Sequence, residues 1–201
     1  FWKLKWQIDA STFQLKEFPI LESKNLILRQ VTIDDAEIVY ALRNMPESII
    51  HTARLPYKSI QEAIDLIHKM RESYLKSEGI SWAVTQKAHP NDSSGRGNNE
   101  MIGSIGLWRI EREHYRAEIG YALMAKYWNQ GIISEAIKKI IEFGFEHLEV
   151  HSIVANLNPT NYASLRVLEK AGFEKEAYFK ENYYFNGKFL DTLTYGKVKS
   201  I

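Results

Sequence analysis

The chain has 201 residues, 45% of them hydrophobic, with Lys+Arg 26 against Asp+Glu 25 and a net charge of +1. That length and apolar content suit one α/β domain with a full core, and the charge balance argues against a dedicated nucleic-acid binder, which carries a basic excess. The absence of cysteine excludes disulfides, thiolate metal sites and a cysteine nucleophile, and fits a reducing cytoplasm. No apolar run approaches the roughly 18–20 residues of a membrane-spanning helix.

Residues 1–18 alternate apolar positions (Phe1, Trp2, Leu4, Trp6, Ile8) without the apolar core of a signal peptide. They read as an N-terminal extension, either an edge element packed on the domain or a clasp on a partner, ahead of a single domain over 19–201. Residues 26–31 form a first strand. Asp34 opens a polar-capped helix running through Arg43, with Ile38, Val39 and Leu42 on its inner side. Met45-Pro46 ends it, because proline disfavours helix at the residue before it. Ser59-Ile-Gln-Glu62 is a capping-box pattern that starts a second helix, with Ile60, Ala63, Ile64, Ile67, Met70 and Tyr74 as its apolar stripe and Gly79 at its end. Two strands follow, 80–86 and 101–110. The HPNDSSGRGNNE segment between them is expected to be a mobile hairpin loop, and its Gly-Arg-Gly is no phosphate loop, since no Gly-Lys-Ser/Thr follows.

Residues 115–123 form the next strand, and at Gly131 the apolar period switches from two to about 3.6. Ile133, Ile137, Ile140, Ile141, Gly144 and Leu148 share one helical face; Lys138, Lys139, Glu142 and Glu146 share the other. A strand, a tight glycine turn and a helix leave backbone N–H groups unpaired at the helix start, where the dipole is positive, so the turn is an anion site or simply a connection that needs a glycine. A strand over 151–157 completes a βαβ unit. Asn158-Pro159-Thr160 starts a helix with proline at an early position, Leu165, Leu168 and Ala171 face inward, and Gly172 caps it. Residues 173–184 and 188–199 face each other across Asn186-Gly187, a strong hairpin signal.

The run GYALMAKYWNQGIISEAI resembles the acyl-CoA-binding motif of the GNAT acetyltransferases, in the RimJ/RimL-like branch with its GYxLxxxYWxxGxxxEA pattern. NPTNYASLRVLEKAGF resembles that branch's second signature and FPILESKNLILR its opening strand, in family order over roughly residues 18–199. The resemblance implies the GNAT fold: α/β (α+β), a mixed, mostly antiparallel sheet of about seven strands with helices on both faces. It implies acetyl-CoA as co-substrate, with pantetheine in a gap between the strands flanking the central helix, on the strand edge at Ala122, Leu123 and Met124. The pyrophosphate would rest on the turn Asn129, Gln130, Gly131, Ile132, Ile133 and Ser134. In the superfamily motif the outer positions are Arg or Gln and Gly or Ala; here they are Trp128, normal in this branch, and Ile133, bulkier than the usual Ala.

The implied reaction is amine attack on a thioester, giving an amide and a free thiol. It needs a neutral amine, donors for the oxyanion and a proton for the thiolate. The strand N–H near Leu123 is the oxyanion candidate. Glu118 is the favoured base, or else a strand carboxylate paired with Arg116 or a neighbour. Glu135 matches the branch pattern but reads as structural, with Lys138 and Lys139 within ion-pair reach. Many superfamily members protonate the thiolate with a tyrosine on the later helix; Leu168 stands there, and the branch pattern points instead to Asn161 on the pantetheine arm and Ser164 beside the sulfur. Capping and packing are their plain alternatives. Asn156 also reaches the cofactor from its strand. The resemblance also implies that the early helical pair forms one wall of the acceptor groove, so Arg54, Tyr57 and His51 are substrate-side candidates, with Tyr162 and Asp191 as weaker ones; each also reads as an ordinary surface residue.

An α-amine with a pKa of about 7.7–8.0 is roughly 10–15% neutral at pH 7, whereas lysine at about 10.4 is about 0.04% neutral, so an N-terminal amine needs only a weak base or a water relay. No acidic cluster for a polycation stands out. The reading is therefore a cytoplasmic acetyl-CoA-dependent N-acetyltransferase, monomer or homodimer, acting on a protein N-terminus of ribosomal-protein type. The alternatives are a small amine (polyamine or aminoglycoside) and a non-catalytic acyl-CoA-binding module. No metal is expected, because the histidines lack ligand spacing; His147 and His151 straddle a helix end.

Overall fold

The structure, a computed structural model, describes residues 17–87 and 99–200. Most of the aromatic extension and of the 89–100 segment therefore lies outside the described residues.

The described chain runs β1 (Leu21–Glu22), β2 (Leu26–Gln30), α1 (Ala36–Asn44), α2 (Pro46–Ile49), α3 (Ile60–Leu75), β3 (Gly79–Gln86), β4 (Gly103–Glu111), β5 (Arg116–Leu123), α4 (Ile132–Glu146), β6 (Ser152–Leu157), α5 (Tyr162–Lys170), β7 (Glu174–Phe185) and β8 (Lys188–Val198). Eight strands form one sheet in the order β1-β2-β3-β4-β5-β6-β8-β7. Eight appear rather than about seven because Leu21–Glu22 folds back on β2 as a short strand of its own. Every neighbouring pair is antiparallel except β5 and β6.

Local chemistry explains most boundaries. The Glu62 carboxylate accepts the Lys58 and Ser59 amides at 2.7 and 3.3 Å, so the capping box starts α3 as expected. Asn186 and Gly187 both have positive φ, 48° and 83°, which is what a tight β7–β8 turn requires. Gly172, at φ 80°, closes α5. Other boundaries differ. The cap before α1 is Thr32 with Asp35, not Asp34: the Asp35 carboxylate accepts the Thr32 amide at 2.8 Å and pairs with both Arg29 nitrogens at 2.7 and 2.8 Å. Pro46 ends α1 but also opens α2, since a proline at the first helical position loses no bond. The turn after α3 is made by Ser77, at φ 60°, while Gly79 opens β3. Pro159 precedes α5 rather than entering it; Asn161 is the N-cap.

The sheet has two packed faces. Ile137, Ile140 and Phe143 of α4 pack with Trp82, Leu107, Ile119, Leu123 and Leu168 in the larger cluster. Val39 and Leu42 of α1 and Ala63 and Ile67 of α3 pack on the other face with Ala83, Ala122 and Met124. Trp82 is fully buried and its indole N–H donates to the Pro19 carbonyl at 2.8 Å. Phe18 rests on Trp82 and Tyr74, which fastens the start of the described chain to the domain.

Candidate active site

β5 and β6 pair only at Arg116↔Ser152, Ala117↔Ile153 and Glu118↔Val154, although β5 runs on to Leu123 and β6 to Leu157. Beyond Glu118 the two strands splay and leave a cleft of about 490 Å³. Successive backbone groups along a strand point to opposite edges. The Met124 amide donates to Ile102 of the β4 side at 3.0 Å, so the Leu123 amide faces the splay. The Leu123 carbonyl accepts the Trp128 indole N–H at 2.8 Å, which ties the following turn to the strand end.

That turn has the geometry an anion site needs. Asn129 has φ 59° and Gly131 φ 77°, bending the chain so that α4 starts directly off the splayed edge. A Cβ at Gly131 would meet nothing within 4 Å, so glycine is there for its backbone, and the space above the turn is open. The Glu135 amide is the one that reaches the Gly131 carbonyl, at 3.0 Å, which leaves the Ile132, Ile133 and Ser134 amides without an intrahelical acceptor. Ile133, the departure from the superfamily motif, turns its side chain into the core at 9% exposure and leaves its amide in place. Unpaired amides at a helix start, an open strand edge and a cleft between them fit a diphosphate with an amide-bearing arm.

Glu135 is structural, as its position suggested, but its partner is not a lysine. It accepts the Asn25 amide and side-chain N–H at 2.8 and 2.9 Å, while Lys139 pairs with Glu142. Burial opposes its ionisation, but the bonds from Ser23 and Asn25 and the Lys24 charge outweigh that and hold its carboxyl below the usual range.

The cleft is lined on the α5 side by Asn156, Asn161, Ser164 and Leu168. Asn156 Oδ1 accepts the Thr194 hydroxyl at 2.7 Å and Asn161 Oδ1 accepts the Ser164 amide at 3.1 Å, so each side chain is oriented with its NH₂ left to donate. Asn161 is thus a helix cap and a cleft residue at once. Tyr121, which the sequence did not single out, also lines the cleft. Its hydroxyl lies 3.4 Å from the Ser164 carbonyl, and burial pushes the phenol up to about 12, partly offset by the Ser164 side chain. The period-two alternation of β5, which puts it on the face of Ile119 and Leu123, was the available signal.

Arg43, Arg54 and Lys69 line the opposite wall, with His51 at the loop between. No Asp or Glu is among the described lining residues. Burial lowers the Arg43 pKa and brings Arg54 down to about 10, the Arg43 charge adding to the effect on Arg54 and Tyr57 opposing it. Arg43 was missed because it ends an amphipathic helix, where arginine is ordinary. Tyr57 stands behind it, its ring 5.9 Å from the Arg43 guanidinium and its backbone held by Asn44.

Glu118, Tyr57, Tyr162 and Asp191 do not line the cleft. The Glu118 carboxylate pairs with Arg109 of β4 at 2.8 Å rather than with Arg116. Tyr162 is 64% exposed. Asp191 accepts the Tyr178 hydroxyl and the Glu181 amide, fastening the irregular part of the β7–β8 hairpin; these bonds hold its carboxyl below the usual range. Among the described residues no group of three or more His, Asp or Glu side chains converges on a metal position, and no helix is long and apolar enough to cross a membrane.

The family model for the acetyltransferase (GNAT) domain matches residues 25–174. The uncharacterized N-acetyltransferase YoaA of Bacillus subtilis is 37% identical over 182 residues, covering 90% of this chain and 98% of the relative. A spermidine N(1)-acetyltransferase of Vibrio cholerae is 22% identical, covering 84% of this chain and 90% of the relative. Among solved structures, RimL, a ribosomal alpha-N-protein acetyltransferase in complex with coenzyme A, superposes with a TM-score of 0.77 at 20% identity, covering 90% of this chain and 98% of that one. The splayed β5–β6 pair, the amide-rich start of α4 and these matches agree: the chain belongs to the GNAT family and is an N-acetyltransferase that uses acetyl-CoA.

Proposed function

We propose that the acceptor is the free α-amine of a protein N-terminus, of ribosomal-protein type. The observation that carries this reading is a cleft lined by Arg43, Arg54 and Lys69 with no carboxylate among its described lining residues. Such a wall repels a polyamine, whose further ammonium groups would find no partner. It suits an α-amine, about 10–15% of which is already neutral at pH 7, and nearby guanidinium charges shift that amine further toward the neutral form. A dedicated carboxylate base is then unnecessary and water suffices, which removes Glu118 from the proton path.

Acetyl-CoA supplies the acetyl group as a thioester. The Ile132, Ile133 and Ser134 amides, with the turn at Asn129 to Gly131, hold the diphosphate; the backbone edge around Leu123 and the Asn156 and Asn161 amides hold the arm. The Leu123 N–H donates to the carbonyl oxygen as the amine attacks. The new bond joins nitrogen to the acetyl carbon, the carbon–sulfur bond breaks, and Ser164 passes a proton to the departing thiolate and is reprotonated by the proton the amine loses, relayed through water. Arg54 borders the acceptor, with Tyr57 supporting that wall from behind. Tyr162 and Asp191 lie outside the cleft and have no role in this reading.

The test is thiol release from acetyl-CoA with Ala- and Ser-starting peptides, the same peptides blocked at the N-terminus, spermidine and an aminoglycoside. Release with free peptide N-termini alone is expected. Turnover of the small amines with silent peptides would transfer the chain to small-amine chemistry.

A further inference from the structure

Two arginines of the acceptor wall have no partner that the proposed reaction uses. Arg43 sits in the last turn of α1 and Arg54 in the loop between α2 and α3. Arg54 makes one long contact, 3.4 Å to the Ser48 hydroxyl, and its Nε is buried without any hydrogen-bond partner among the described residues. Arg43 stacks on the Tyr57 ring and makes no ion pair among the described residues. Neither pairs with a carboxylate of the described residues, burial disfavours the charge of both, and the Arg43 charge adds to the effect on Arg54. Two partly buried, unpaired guanidinium groups facing one cleft are costly unless something anionic joins them. The cofactor's phosphates are not that group: the amides suited to them lie at the Asn129–Ser134 turn, none of which lines this cleft.

We infer that Arg43 and Arg54 form an anion subsite that reads a carboxylate or phosphate carried close to the acceptor amine. Resting on the N-terminal reading above, this means a protein whose first few residues include an acidic side chain. The planar, forked guanidinium suits bidentate contact with such a group, and a fixed anion would return both arginines to a paired state. Ser73, Ser81 and Ser104 line the same cleft and supply neutral donors to it.

The experiment compares kcat/KM of the whole protein for Ser-starting peptides that differ only in an Asp, Asn or Lys at the second position, with free glutamate as a small acidic amine. Wild type is expected to favour Asp over Asn by ten-fold or more, with Lys poorest. Arg54→Gln is expected to bring the Asp-to-Asn ratio close to one, and Arg54→Lys, which keeps the charge without the fork, to retain part of it. The wild-type ratio stands alone if a variant misfolds. Equal turnover of Asp and Asn peptides would overturn the subsite while leaving the N-terminal reading intact. So would a rise in the acetyl-CoA KM of Arg54→Gln with the ratio preserved, which would assign the arginine to the cofactor. Turnover of glutamate with silent peptides would support the subsite and refute the peptide.

Discussion

The cofactor side and the acceptor side of the splay are built by different means. The cofactor side is mostly backbone: a splayed strand edge and, beyond the cleft itself, a turn with Asn129 and Gly131 at positive φ and the first amides of α4. The acceptor wall is side chains, arginines carried by α1 and the α2–α3 loop, and α1 is fixed at its start by the part-buried Arg29–Asp35 pair. Backbone donors tolerate side-chain change, which is why Ile133 can replace a small residue without closing the site. Side-chain walls change with every substitution, so one fold can keep its cofactor and exchange its acceptor.

The sharpest way to break this division is to loosen one wall and watch the other. Asp35→Ala leaves Arg29 buried without its bidentate partner and frees the Thr32 amide at the start of α1. Breaking such a pair costs about 3–5 kcal/mol. For a chain of this size that lowers Tm by roughly 6–20 °C. At a temperature where the variant is still folded, the acceptor KM is expected to rise while acetyl-CoA affinity, followed by calorimetry, holds. Joint loss of both would show that the walls are one unit.

Gly131→Ala attacks the cofactor side. The left-handed backbone costs an alanine about 1–2 kcal/mol. No protein atom crowds the new methyl, so stability should drop by that alone. A methyl in the space over the anion site is expected to raise the acetyl-CoA KM by roughly ten-fold, about 1.4 kcal/mol, with the acceptor KM unchanged. A variant with altered stability and unaltered acetyl-CoA KM would mean that the diphosphate sits elsewhere.

The same division explains what could be read without coordinates. Features set by neighbours in sequence were readable: the Ser59–Glu62 capping box, the Asn186-Gly187 turn, and the strand, glycine and helix around Gly131. Features set by distant partners were not. Glu135 has lysines one turn away, yet Asn25 claims it from across the fold. Glu118 has Arg116 two residues off on the same face of β5, yet Arg109 is the one that reaches it, from β4. Asp191, a weaker candidate for the acceptor side, instead fastens its own hairpin. Arg43 and Tyr121 carry nothing locally that separates a helix-end cation or a strand aromatic from a site residue. Only the splay of β5 from β6 exposes them.

Ser164→Ala tests the point where the walls meet. Its hydroxyl belongs to the cofactor side but serves the reaction. Losing one hydrogen bond made chiefly at the transition state is worth about 0.5–1.5 kcal/mol, a two- to ten-fold fall in kcat. The acetyl-CoA KM is expected to stay put, because the Asn161 cap binds the Ser164 amide, which alanine keeps. An unchanged kcat in steady-state assays would leave protonation to the Tyr121 hydroxyl or to water.

The smallest effect expected is at Glu118. Its side chain is 13% exposed, but its partner Arg109 is 73% exposed, so water screens the pair and it is worth about 1 kcal/mol. A base would behave differently from such a strut. Below the amine's pKa the neutral acceptor is scarce, so losing a base would cost most at low pH and steepen the acid limb of kcat/KM. Losing a strut costs the same at every pH. Glu118→Gln is therefore expected to lower kcat/KM by less than about five-fold, uniformly between pH 6 and 9. A loss that grows on acidification would restore Glu118 as the base, and with it a carboxylate serving the acceptor wall from just outside the cleft.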